Sequence, residues 1–314
     1  MRRFASSGLV LALETGAIVS GCAERRMQST YATPDQAVDA LVAAVRSDDP
    51  NELRGVLGED AEKLISSGDE VADRNARERF IAKYEAKHSL SSDGGTVTLV
   101  VGDNDWPMPI PIVRDPGSGW WRFDAAAGED EIICRRIGRN ELATISVCKA
   151  IVDAEREYAM KDPDNDAIRT YARQFQSDPG KRDGLYWPSE EGEEPSPLGA
   201  VVAKAASEGY AGAPTSDGGG TGEPYHGYLF RILTRQGPHA AGGARDYMIN
   251  GKLIGGFGLV AYPAEYGNSG VMTFLTNQDG VVYQQDMGPG TRSKALAISE
   301  FDPGPGWERA EEAK

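Results

Sequence analysis

The chain has 314 residues, 40% hydrophobic and 26% charged, with 48 acidic residues against 33 basic ones and a formal net charge of −15. That length exceeds the roughly 100–150 residues of a common domain, so two cores are expected, and the composition excludes disorder throughout. A molecule this negative repels nucleic-acid backbones and anionic lipid surfaces at long range, so neither is expected as a ligand.

The segment MRRFASSGLVLALETGAIVSGCAERR opens with Arg2 and Arg3 and continues as a mainly small and apolar run from Phe4 to Val19, interrupted by Glu14. This is the outline of an export signal, and it is short for a membrane-spanning helix, which needs about 20 apolar residues. Val19, Ser20, Gly21 and Cys22 resemble the lipobox of bacterial lipoproteins, in which the cysteine carries the lipid and becomes the mature N-terminus. The resemblance implies a signal peptide over residues 1–22, lipidation at Cys22 and, with Ala23 following, sorting to the outer membrane. A plain signal, cleaved or retained, is the alternative. Lipid chains attach through buried methylenes at about 0.8 kcal/mol each, so anchoring needs no spanning helix.

Thr33 followed by Pro34 marks a helix start, with Ala37, Leu41, Ala44 and Val45 on its apolar stripe. Two further helical stretches are expected in PNELRGVLGEDAEKLISSG and DRNARERFIAKYEAKHSL. The period then changes. GTVTLVVG alternates as a strand, WPMPIPIVRD is extended, and GWWRFD is a strand after the turn DPGSG. Helices followed by a short antiparallel sheet predict an α+β domain over residues 30–130, similar in outline to cystatin-like or NTF-like cone folds. Pro107, Pro109 and Pro111 keep their segment out of the middle of a sheet. It reads as an edge strand guarded against aggregation, with a polyproline-type docking strand as the alternative.

The second domain, residues 139–305, starts with RNELATISVCKAIVDAEREYAMKD as a helix. Its broad apolar face includes Leu142, Ile145, Cys148, Ile151, Val152 and Tyr158, and suits packing on a sheet. Cys134 and Cys148 stand fourteen residues apart, about 21 Å along one helix, so a disulfide needs a chain reversal near Gly138 to Asn140. Two separate buried thiols are the other reading. Residues 184–223 are rich in glycine, proline, serine and acid, with one helical piece in PLGAVVAKAASEG, and are expected to run over the surface. GYLFRILT, DYMIN, FGLVAYP, VMTFLTN and VVYQQDM follow as strands of an antiparallel meander, with GK and QDG as hairpin turns. Tyr228, Phe230 and Ile232 share one face of the first strand while Arg231 interrupts the other, the mark of a half-buried strand. The fold class is therefore α+β in two domains.

Chemistry is sparse. His88, His226 and His239 are the three histidines, and neither their spacing nor a neighbouring cysteine pair suits a zinc site. YGNSG places Ser269 directly before Gly270 and lacks the spacing of a nucleophile elbow. SDGGGTGEP has no lysine after it to meet a phosphate and reads as a flexible loop. Asp162, Asp164 and Asp166 alternate like the first ligands of a calcium loop. Ala167 replaces the turn glycine and Arg173 the bidentate glutamate, however, so an acidic helix terminus is the stronger reading. Glu190, Glu191, Glu193 and Glu194 read as a solvated acidic run. Glu265, flanked by Tyr262 and Tyr266, is either a general base, if buried against apolar walls, or a carboxylate capping the YGNSG turn; the second is preferred. No cofactor is expected.

Taken together, GRNELATISVCKAIVDAEREYA, PGKRDGLYWP, SPLGAVVA, GYLFRILTRQGP and GGFGLVAYPAEYGNSGVMTFLTNQDGVVYQQDMG resemble the bacterial envelope family catalogued as domain of unknown function 2950, over nearly all of the mature chain. The resemblance implies an exported protein without an assigned activity, hence no catalytic residues to carry over. The long helix, loop region and closing meander are also similar to the globular heads of type IV pilins and secretion pseudopilins, which carry a transmembrane half-helix where this chain has its first domain. The expected function is a non-catalytic binding or assembly component of the bacterial periplasm or outer membrane. It would meet an envelope protein or surface polymer through the 184–223 loop and exposed Tyr225 and Tyr228. The competing class is a hydrolase-like enzyme centred on Tyr262, Glu265 and Tyr266. A third is calcium-dependent stabilisation through Asp162, Asp164 and Asp166.

Overall fold

The computed structural model describes residues 28–162, 167–190, 192–212 and 222–310. The export signal with Cys22, the aspartates Asp164 and Asp166, Glu191 and the SDGGGT stretch lie outside these residues.

Helix α1 (Pro34–Ser47) starts as expected. The Thr33 hydroxyl accepts from the Gln36 N–H, and Pro34 occupies the first turn, where a missing donor costs nothing. α2 (Pro50–Leu57) is capped in the same way by Asp49 and leads through a short 3-10 turn into α3 (Glu62–Ile65). α4 (Glu70–Ala86) then ends before His88, where a strand opens and the helix expected through Leu90 stops. The reason lies downstream. Gly94 and Gly95, both at positive φ, reverse the chain, so that β1 (His88–Asp93) pairs along its whole length with β2 (Thr96–Val101).

Val97, Leu99 and Val101 point from β2 into the first core, against Leu41 of α1, Leu53 of α2 and Phe123. β3 (Trp106–Pro107) and β4 (Ile112–Arg114) pair with the other side of β2, and β5 (Trp121–Phe123) completes the sheet. The proline segment lies where β3 pairs on one side only. The following helix covers it, and Gly128 sits so near that an added Cβ would meet the Pro109 carbonyl oxygen at 2.6 Å.

α5 (Ala125–Lys161) is one helix of 37 residues, about 55 Å long, and begins well before Arg139. An isolated glycine in a helix costs only about 1 kcal/mol, and burial on both sides of Gly138 outweighs it. No reversal occurs there, so Cys134 and Cys148 are both free. Cys148 is buried as expected, whereas Cys134 is exposed. The helix serves two cores: Ala125 closes the first, while Val147, Cys148, Ile151, Ala154 and Tyr158 face the second.

Beyond it come α6 (Gly199–Ser207), β6 (Tyr228–Leu233), β7 (Arg235–Gln236), β8 (Arg245–Asp246), β9 (Met248–Ile249), β10 (Lys252–Leu253), β11 (Gly258–Pro263), β12 (Met272–Asn277), β13 (Tyr283–Asp286), α7 (Thr291–Ala297) and β14 (Glu308–Arg309). The main sheet is antiparallel in the order β14-β13-β12-β11-β6. DYMIN is split: Asp246 pairs back to Arg235, and Ile249 pairs forward to Lys252 across a turn with positive φ at Asn250 and Gly251.

Both faces of this sheet are buried. Tyr228 and Phe230 face α5, while Leu229 and Leu233 join Val260, Tyr262 and Leu275 against Ala295 of α7 and Phe301. Every residue of β11 is buried. The half-buried expectation fails because the chain after β13 folds back over the outer face. There Arg231, read as interrupting a face, donates to the carbonyls of Ala295 (2.9 Å) and Ile298 (2.6 Å) and caps α7. The described part of 184–223 is a surface excursion only in part: residues 188–190 and 192–195 are exposed, and the flanking stretches are packed. Leu185, Trp187, Leu198, Val202, Ala205 and Tyr210 fill the second core, and Tyr225 and Tyr228, expected to be exposed, are buried with them. Glycine and proline marked irregular backbone there, and irregular backbone can still be packed.

Candidate functional site

The residues singled out around Glu265 face three different surroundings. Tyr262 is fully buried in the core beneath α7. Tyr266 sits in the turn with its hydroxyl toward Asp286. Glu265 is exposed; its carboxylate accepts from Asn268 Nδ2 at 2.8 Å, and its backbone carbonyl accepts from the N–H groups of Asn268 and Ser269. The stretch YGNSG is thus a closed turn held by its own hydrogen bonds, with the Ser269 hydroxyl accepting from the Glu265 N–H. Asp162 accepts from the Ala167 N–H at 2.8 Å after the end of α5. Among the described residues no group of acidic, histidine or cysteine side chains is arranged to hold a metal ion.

A cavity of 780 Å3 lies elsewhere, between α4 and α5 above the first core. Two helical stripes form its walls. Ala72, Ala76, Arg79, Phe80 and Lys83 recur at helical spacing along α4, and Ile132, Arg135, Arg136, Arg139, Asn140 and Ala143 along α5. The floor is apolar, with Leu41, Leu53, Leu57, Ile65, Val101 and Ile110 buried beneath it. α4 buries none of its residues completely: Phe80, Ile81 and Tyr84 pack partly against the first core, and the stripe from Ala72 to Lys83 borders this space.

The mouth is cationic. Trp106 at the rim lies under two cations, Lys83 Nζ at 5.7 Å and the Arg135 guanidinium at 5.9 Å from the ring centre. Arg77 is paired with Asp48 at 2.6 Å and Arg135 with Glu131 at 2.5 Å. Among the described residues, Arg79 and Arg139 have neither an ion pair nor a hydrogen-bonded partner. The Arg139 guanidinium is held below the ordinary arginine range by desolvation and by the neighbouring charges of Arg79 and Arg135. Against these cations the lining carries two carboxylates, Asp73 and Glu208. Burial pushes Asp73 up although it accepts from the Ser67 N–H.

The inner end of the cavity is a seam between the two halves of the chain. Asp69, almost fully buried, caps α4 through the Ala72 N–H (2.9 Å) and also accepts from the Tyr210 hydroxyl (2.9 Å) and the Gly227 N–H (2.8 Å). Tyr210 is raised well above the usual phenol value, by burial first and then by the Asp69 charge. His226, beside Glu208 at 3.3 Å, is lowered because desolvation outweighs that carboxylate. Nearby, Arg136 donates to the Lys63 carbonyl at 2.7 Å and to Asn268 Oδ1, while Asn268 Nδ2 reaches the Ser66 carbonyl at 2.9 Å. Asn140 and Glu141 of α5 hold the same turn through the Ser269 carbonyl and the Val271 and Met272 N–H groups. The glycine- and tyrosine-rich turn that drew attention in the sequence therefore docks one half on the other.

Sequence reasoning passed over the cavity residues. A signal was present: in an acidic chain, Arg79 with Lys83 and Arg135 with Arg139 each place cations four residues apart on one helix face. The facing of those two stripes was not readable, because it depends on α5 running unbroken through Gly138.

The family model described as "Protein of unknown function (DUF2950)" matches residues 28–310, nearly the whole chain. No curated protein and no solved structure matches, so the likeness to pilin heads has no support.

Proposed function

The chain belongs to the DUF2950 family, and from the geometry of its cavity we propose that it is a non-catalytic binding component of the bacterial envelope, holding a ligand between α4 and α5. The 780 Å3 cavity carries this reading, because it falls within the roughly 300–1,000 Å3 of small-molecule sites and combines an apolar floor with a few polar groups at its rim. A hydrolase would need acid, base and nucleophile converging on one space. Tyr262, Glu265 and Tyr266 do not converge, so the binding reading is preferred over the enzyme. In this reading the protein is exported by residues 1–22 and tethered by lipid on Cys22 in the periplasm, with the lipobox-like run as support. No helix among the described residues is long and apolar enough to cross a membrane.

Native mass spectrometry of the full chain purified from envelopes tests the proposal. The expected result is one bound molecule per chain, lost when Ala76→Trp fills the mouth, and release of Cys22→Ser from the membrane pellet. Equal ligand content in both proteins would sink the cavity reading, and a Cys22→Ser chain that still pellets would sink the tether.

A further inference from the structure

The cavity joins two features that are separate in most of this molecule. Leu41, Leu53, Leu57 and Ile65 lie beneath its apolar floor, and its mouth sets Arg79 and Lys83 of α4 opposite Arg135 and Arg139 of α5. The overall charge of −15 predicts repulsion of anions, but it acts over distances at which salt screens it, about 8–10 Å in physiological buffer. Inside the mouth the local sign is reversed. Arg79 and Arg139 have no carboxylate partner among the described residues, and the guanidiniums stand close enough to oppose one another's charge. Crowding like charges over an apolar floor is unfavourable in the free protein, and an anion placed between them relieves it.

We propose that the cavity binds a single-chain amphiphile with an anionic head, an acyl or alkyl chain ending in a carboxylate or phosphate. The inference rests on the binding reading given above and adds the chemistry of the ligand. The chain lies on the floor of the first core, where each buried methylene adds to affinity. The head sits at the mouth, where Arg79 and Arg139 supply forked donors that match carboxylate or phosphate oxygens, with Lys83 alongside as a point charge. Trp106, between Lys83 and Arg135, lies at the junction of chain and head and reports on occupancy. A polypeptide partner fits less well, because the space takes one small molecule.

The test is titration calorimetry on the full chain with dodecanoate and dodecyl phosphate below their micelle concentrations. Dodecyl maltoside serves as the neutral probe and dodecyltrimethylammonium as the cationic one; butanoate and inorganic phosphate are heads without a chain, and phosphatidylglycerol vesicles are a two-chain anionic surface. The two anionic amphiphiles should bind one per chain and shift tryptophan emission, a shift absent from Trp106→Phe. Arg79→Ser combined with Arg139→Ser, both at exposed positions, should weaken them about tenfold or more and leave dodecyl maltoside unchanged. Equal affinity for neutral, cationic and anionic amphiphiles would overturn the anionic head while the cavity reading stands, provided Ala76→Trp abolishes all three. Equal binding of butanoate or phosphate would overturn the chain, and vesicle binding without monomer binding would overturn the cavity as its site. If no probe binds and no molecule co-purifies with the native chain, both readings fall together.

Discussion

The two halves of the molecule solve the same packing problem differently. In the second, a five-stranded sheet is covered on both faces, and β11 contributes no exposed residue. In the first, a sheet of similar size is packed by α1, α2 and α4, and α4, with no residue fully buried, leaves 780 Å3 open beside α5. Protein interiors ordinarily close such volumes, because voids forfeit dispersion contacts. Among the described residues the first half borders this cavity while the second packs its sheet on both faces, and under the proposed binding role the first would hold the ligand and the second would support it.

The sharpest way to break this contrast is to remove one ring from each half. Phe230→Ala, in the filled core, should lower unfolding free energy by about 3–5 kcal/mol, whereas Phe80→Ala on the cavity wall should cost under about 1.5 kcal/mol. Comparable losses in chemical denaturation would show that α4 is packed as tightly as the meander.

The seam comes next. Asp69→Ala removes a helix cap and leaves the Tyr210 hydroxyl and the Gly227 N–H without their acceptor, with an expected cost of about 2–4 kcal/mol. The cost should appear as a split between the unfolding of the two halves, followed by hydrogen exchange. A single unchanged transition would deny Asp69 its joining role.

The smallest effect is a pH dependence confined to the second core. Glu155 of α5 is fully buried and accepts from the Ala172 N–H at 2.8 Å, yet burial raises it well above its ordinary value near 4.5. Since the folded value exceeds the unfolded one, its contribution is fully present below about 4.5 and is lost as pH rises through the folded value. Glu155→Gln should therefore flatten the fall in stability toward alkaline pH and leave acid stability little changed. Parallel melting-temperature profiles for both proteins would contradict this.

Much of the first half was legible. Thr33 and Pro34 begin α1, Asp49 and Pro50 begin α2, and the alternation of Val97, Leu99 and Val101 gives β2 its inward face, all through interactions within a few residues. In the second half the strands were legible and their surroundings were not. Tyr228 reads as exposed in the sequence and is buried in the structure, because exposure depends on α5 and on residues 184–212 packing over it. The candidate site moved for the same reason. Tyr262 and Glu265 stand four residues and one residue before Tyr266, where the turn begins, but face different environments, whereas Arg79 and Arg139, distant in sequence, share a mouth.

By itself the sequence determined what local forces decide: where helices are capped, where glycines reverse the chain, which residues alternate, and the α+β class that follows. Only the tertiary structure decided which faces close and which stay open. That choice belongs to one 37-residue helix shared by both cores, whose unbroken course sets Arg135 and Arg139 across from Arg79 and Lys83. Contacts so far apart along the chain arise from burial summed over many residues, and no short stretch encodes them.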